Sequence, residues 1–170
     1  MMSGKQGIAG GVAAGGPTQQ TRVVGSWPSS NEDGAAAEGH RIHAGTLQLP
    51  HGSRILLVID NPDFGDWLLD EFKYVGCAVA LANRGQDALP LLRAGLVDVV
   101  ISEMGLRDLP GMDLLREIQG LATMPKVILT TSHHSDFLAA RAIEKGACTV
   151  LCKPFSVEQL FAAIARSLGN

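Results

Sequence analysis

The sequence predicts a three-layer α/β sandwich built on a doubly wound, five-stranded parallel sheet. Three observations carry that expectation. From residue 54 onward, short apolar runs alternate with amphipathic stretches of helical period. The runs ILLVI at 55–59 and KVILTT at 126–131 are nearly continuous rather than alternating, as strands covered on both faces must be. Around such runs stand turn and cap residues, Asn61-Pro62, Gly76, Gly95, Pro110-Gly111 and Gly146, at the places where helices should begin or stop. Right-handed crossovers then restrict the topology to a few choices.

The elements follow in order. ILLVI is the first strand, and Asn61 with Pro62 can cap and open the helix after it. Phe64, Leu68, Phe72 and Val75 recur at spacings of four and three, with Leu69 beside them, which gives that helix one apolar face; Gly76 ends it. A short strand is expected around 77–81 and a helix around 85–93, before Gly95. VDVVIS at 97–102 is the third strand and leads into Glu103, and a loop with Pro110 and Gly111 precedes a helix near 112–119. KVILTT is the fourth strand, after which SHHSD can start a helix carrying Phe137, Leu138, Ala140 and Ile143. The fifth strand, 148–152, enters Lys153, Pro154 and Phe155, and Ser156 with Gln159 has capping-box spacing ahead of a last helix containing Val157, Leu160, Phe161, Ile164 and Leu168.

A chain of 170 residues, 46% hydrophobic, has material for one domain and an extension. Residues 1–52 are rich in Gly, Ser, Pro and Ala, with Trp27 their only aromatic, and offer little apolar area to offset the ordering of a backbone. They are expected to form a flexible low-complexity N-terminal tail ahead of a domain over 53–170. A net charge of -3 gives no general attraction to nucleic acid or anionic lipid, so no direct nucleic-acid binding is expected. No apolar run has the length of a membrane span or the setting of a signal peptide, so a cytoplasmic, membrane-free protein is expected. Cys77, Cys148 and Cys152 cannot all pair within the chain and lack metal-ligand spacing; Cys148 and Cys152 are expected as buried free thiols.

In a doubly wound sheet the functional crevice lies outside the carboxyl ends of the strands, where their order reverses. Polar residues gather there: Asp60 after the first strand, Ser102 and Glu103 at the third, Thr130 and Thr131 at the fourth, Lys153 at the fifth. Carboxylates, hydroxyls and an ammonium in that arrangement can surround a phosphoryl group or a cation. No glycine-rich phosphate loop, Ser-His-Asp pattern or HExxH pattern makes the chemistry more specific.

Over essentially all of 53–170, ILLVIDNP, VDVVISE, PKVILTTS and EKGACTVLCKPFSVEQL resemble the CheY-like receiver domain of bacterial two-component response regulators. The resemblance implies the flavodoxin-like receiver fold, Mg²⁺ held by acidic groups, and an aspartate that accepts a phosphoryl group from a histidine kinase or phosphotransfer protein. Position by position, this chain departs from that pattern. Ile59 and Asp60 stand at the family's two adjacent acidic residues; Asp60 keeps a metal-ligating oxygen and Ile59 supplies none. Glu103 stands at the phosphoacceptor position, where one extra methylene shifts the carboxylate by about 1 Å, enough to spoil an in-line approach. An ungapped register puts Arg107 where the family commonly has proline and Gly111 at its recurring glycine, so Arg107 either pairs with Glu103 or extends into water. Thr130 and Lys153 match the residues that contact the phosphoryl group, and Pro154 matches the proline of a cis Lys-Pro bond. Thr131 replaces a small residue, and Val150 replaces the aromatic switch.

These departures carry the functional expectation. With Ile59 in place of an acid, Asp60, Glu103 and Lys153 are nearly balanced in charge, so Mg²⁺ at Asp60 and Glu103 is expected to be weak or absent and not required. Glu103 is expected to reach Lys153, with Thr130 as a further expected contact. The chain is read as a non-enzymatic, phosphorylation-independent pseudo-receiver that signals through protein contacts. Its expected partners are a histidine kinase, a phosphotransfer protein or a separate output protein, with a homodimer through the fourth helix, fifth strand and fifth helix. His133, His134, Asp136, Arg141, Glu144, Val150 and Gln159 mark that face. With no DNA-binding segment after Asn170, an effect on transcription is expected to run through a partner, the tail or a separate chain. Two alternatives stand beside this reading: a phosphorelay receiver that still accepts a phosphoryl group on Glu103 or on Asp108, and a small-ligand sensor using the same crevice.

Overall fold

The computed structural model describes residues 21–25, 27, 49–50, 52–73, 75 and 77–169. Among these, the elements run β1 (Thr21–Val24), β2 (Arg54–Val58), α1 (Pro62–Lys73), β3 (Ala78–Ala82), α2 (Gly85–Arg93), β4 (Val99–Glu103), α3 (Gly111–Gln119), β5 (Lys126–Thr131), α4 (Asp136–Glu144), β6 (Thr149–Cys152) and α5 (Val157–Ser167). The sheet order is β1-β3-β2-β4-β5-β6. β2 to β6 are parallel, and the chain moves outward from β2 to β3 before crossing to β4 on the other side. The order therefore reverses between β2 and β4, and their carboxyl ends hold Asp60 and Glu103.

Both faces of the sheet are covered, as the continuous apolar runs require. Ile55, Leu57 and Ile59 share a core with Leu68 and Phe72 of α1 and Leu160 and Ile164 of α5. Leu56 and Val58 point the other way, into a core with Leu91 of α2, Leu114 and Ile118 of α3 and Ala142 of α4. The cap signals are also in place. The Asn61 side chain accepts a hydrogen bond from the Phe64 amide at 3.0 Å, and Ser156 with Gln159 forms the capping box of α5.

The expected five-stranded parallel sheet is corrected to a six-stranded mixed one. β1 pairs antiparallel with β3, Thr21 opposite Ala82 through Val24 opposite Val79. These four residues fall inside the segment 1–52 expected as tail. Three contacts outweigh the ordering cost there. Val23 packs against one core and Val24 against the other, Arg22 pairs with Asp66 of α1, and four residues share a ladder with β3. Gly25 follows at φ +80, where a Cβ would stand 2.7 Å from the Cys77 carbonyl oxygen. Residues 1–20, 26, 28–48 and 51 of the expected tail lie outside the described residues.

The cysteines need a second correction. All three are free, but the buried one is Cys77, whose thiol burial pushes up to about 11. Cys148 is exposed and Cys152 half-buried, because β6 is the sheet's far edge and Cys148 lies in the turn before it.

Candidate functional site: the crevice at the strand ends

Glu103 is the last residue of β4 and faces the crevice. Lys153 Nζ donates a hydrogen bond to Glu103 Oε1, and the backbone amide of Asp60 donates to Glu103 Oε2 at 3.0 Å. Both carboxylate oxygens are thus engaged, one by a cation and one by an amide, in a side chain only 12% exposed. The same ammonium lies 4.1 Å from the centroid of the Phe64 ring at the start of α1. Phe64 is also edge-on to Phe155 and stacked on Trp67. The Lys153–Pro154 peptide is cis, and Pro154 itself is exposed rather than part of the crevice wall.

Asp60 is closed by a second cation. Arg107 Nε donates to Asp60 Oδ2 at 3.0 Å, and a terminal nitrogen of the same guanidinium lies 3.5 Å from the Asp60 carbonyl oxygen. Arg107 therefore neither pairs with Glu103 nor extends freely into water, although its side chain is 81% exposed. The loop register explains its reach. Gly111 packs its Cα against the end of β4, where a Cβ would sit 2.6 Å from the Glu103 carbonyl oxygen, and its amide donates to the Met104 carbonyl at 3.0 Å. That close approach ties the start of α3 to the end of β4, and Arg107 lies in the loop between them.

The remaining expected residues separate into two groups. Thr130, 1% exposed, lies beside Glu103 in register and lines the crevice, but its Oγ1 has no hydrogen-bond partner and does not join Glu103. Thr131 lines it too and accepts from the His133 amide at 3.0 Å. Together Asp60, Glu103, Thr130, Thr131, His133 and Lys153 surround a cavity of about 250 Å³. Ile59 does not belong to it. Its side chain is 1% exposed and sits in the core against α1 and α5, because the strand alternation that turns Ile55 and Leu57 inward carries Ile59 with them. Val150 is half-buried against the core on the opposite face.

Sequence reasoning missed two features. Asp108 is not free in the crevice: its carboxylate accepts from the amides of Gly85 and Gln86 at 3.0 Å each and caps α2, with Arg84 3.7 Å away. Burial works to raise the Asp108 carboxyl, and the amides of Gln86 and Gly85 outweigh it and hold the group below its usual range. The Phe64 ring under Lys153 was visible only as part of an apolar stripe. No sequence signal marks either contact, since each joins a loop residue to the start of a helix remote in sequence.

Asp60 and Glu103 are the side chains that would hold a divalent ion in this crevice. Among the described residues no group of three or more His, Cys, Asp or Glu side chains is clustered as ligands, and Asp60 and Glu103 each already carry a cation. No helix among the described residues is long and apolar enough to cross a membrane.

Comparison with known proteins accounts for this geometry. Residues 55–165 match the family model described as the response regulator receiver domain. The transcriptional regulatory protein BaeR of Escherichia coli O6:H1 is 29% identical over 111 residues, 65% of this chain and 46% of that protein. The chain spans less than half the length of the curated relatives it matches. Among solved structures, a receiver-domain protein from Clostridium thermocellum is similar with a TM-score of 0.64 and 29% identity, covering 68% of this chain and 94% of that one. The BeF3-activated receiver domain of DrrB is similar with a TM-score of 0.62 and 27% identity, covering 70% and 99%. An α/β sandwich with its carboxylates and lysine at the switch point, matched over most of its described residues, is a signalling module that acts through protein contacts in a two-component-type system, and the chain belongs to the response regulator receiver domain family.

Proposed function

We propose that this chain is a phosphorylation-independent receiver, whose crevice is held in one state by its own side chains. A single observation carries the reading: both oxygens of Glu103 are occupied, by the Lys153 ammonium and by the Asp60 amide. A carboxylate so engaged is a weaker nucleophile, since a cation and an amide each draw on one of its oxygens. Val150 supplies no aromatic ring to report a phosphoryl group. Signalling then depends on which proteins bind, a histidine kinase, a phosphotransfer protein or a separate output protein. The face of α4, β6 and α5 is the proposed contact surface, also for a homodimer, and exposed Phe137 and Ile143 of α4 favour it.

A second reading has specific support. The relatives belong to a phosphorelay family and one similar structure is a BeF3-activated receiver, so the comparisons favour a chain that still accepts a phosphoryl group over one that does not. The buried, unpartnered Thr130 hydroxyl beside Glu103 points the same way, because a group of that kind calls for a partner. Asp108 is a poor acceptor in this reading, since its oxygens cap α2.

Intact-mass analysis separates the two. The purified chain and its E103A variant are incubated with Mg²⁺ and a small-molecule phosphodonor, beside a conventional receiver. The first reading expects no added phosphoryl mass while the control is labelled. One added phosphoryl group, lost in E103A, would establish the second; retention in E103A would move the acceptor to another side chain.

A further inference from the structure

We propose that the guanidinium of Arg107 is the resident cation of the crevice and occupies Asp60 in place of a divalent metal. The inference deepens the proposed function and rests on it in taking Asp60 and Glu103 as the carboxylates of the site. Each of them has a cation of this chain in hydrogen-bonding contact, Arg107 on Asp60 and Lys153 on Glu103, so the two acids and two bases cancel. A divalent ion draws its affinity from unneutralised oxygens. To reach Asp60 it must first displace Arg107 and then sit near the Lys153 ammonium, which repels it.

An ion pair whose arginine is 81% exposed is ordinarily weak, because holding a long side chain in place costs entropy. Here the loop is anchored on both sides of Arg107. Leu106, the residue before it, is 3% exposed in the core of α2, α3 and α4. Asp108, the residue after it, is fixed to the amides of Gly85 and Gln86. Gly111 closes the loop against the Glu103 carbonyl oxygen. The backbone at Arg107 is thereby held over Asp60, and only the side-chain torsions remain to be ordered. Binding through both Asp60 Oδ2 and the Asp60 carbonyl oxygen directs them.

The test is a Mg²⁺ titration of the full chain followed by the backbone amide NMR signals of Asp60 and Glu103, in the wild type and in R107A, R107K and R107A/D60N. High exposure of Arg107 means that R107A keeps the fold, which a thermal melt checks. The wild type is expected to show no saturable shift up to about 10 mM Mg²⁺, and R107A to bind roughly tenfold more tightly or better, as loss of one positive charge a few ångströms from the ion requires. R107K should fall between them, and R107A/D60N should lose the gain. Equal titrations of wild type and R107A, or no binding by either, would overturn the proposal, because Arg107 would then not be what occupies the site. Phosphoryl mass on the wild type reads the proposed function separately: labelling there with a metal gain in R107A would end the first and keep the second.

Discussion

Lys153 meets Glu103 from two strands away. Glu103 ends β4, Thr130 of β5 lies opposite it, and Lys153 leaves the end of β6 to reach back across β5 to the carboxylate. The pair thus ties the edge strand to the centre of the sheet, over a threonine whose hydroxyl takes no part. Removing only the charge tests what this bridge contributes. E103Q keeps the shape and leaves a Lys153 side chain, 24% exposed, beside a neutral amide. It is expected to cost about 2 kcal/mol, below the range for a fully buried pair because water reaches the ammonium. A lower denaturant midpoint at unchanged slope is the expected result.

The opposite end of the sheet predicts the acid limb of stability. Arg54 donates to Asp98 from its backbone amide at 2.8 Å and its Nε at 3.0 Å, with a third contact from its terminal nitrogen at 2.6 Å. Burial tends to raise the Asp98 carboxyl, but the hydrogen bonds from Arg54 prevail and hold it below its ordinary 3.8. A depressed folded value stabilises fully above the unfolded value and loses that contribution as pH falls through the folded one. D98N should therefore cost about 1–3 kcal/mol near neutral pH, and the gap from wild type should close as pH falls below 3.8 and through the depressed folded value. Urea midpoints across that range check the sign.

β1 predicts an effect from residues outside the family match. Deleting residues 1–27 removes the ladder on β3, the Arg22–Asp66 pair and the packing of Val23, Val24 and Trp27. A loss of about 1–3 kcal/mol is expected, with faster amide exchange confined first to the β3 edge. An exposed strand edge also invites pairing with a second chain, so the deletion variant should self-associate more than the full chain in sedimentation.

The parts of this molecule that were legible in its sequence are those fixed by local pattern. The continuous run 55–59 placed a strand covered on both faces, and Asn61, Ser156 and Gln159 marked helix starts that their side chains do cap. Charge balance also anticipated the meeting of Glu103 and Lys153. What could not be read depends on distant partners. TRVV at 21–24 has too little apolar area to declare a strand, and becomes one only because β3 offers a free edge. Arg107 had two plausible destinations and took a third, Asp60, because the anchoring of Leu106 and Asp108 decides where its side chain can go. Ile59 was read by its place in a motif, whereas the alternation of β2 assigns it to the core.

The most direct test of the central claim is the ammonium signal of Lys153 itself, recorded by NMR on lysine labelled with ¹³C and ¹⁵N and assigned with K153R. If Glu103 holds Lys153 as described, one Nζ resonance should exchange slowly with water, stand apart from the surface lysines, and collapse onto them in E103Q. A Lys153 resonance that exchanges like the others in the wild type, and does not move in E103Q, would contradict the account.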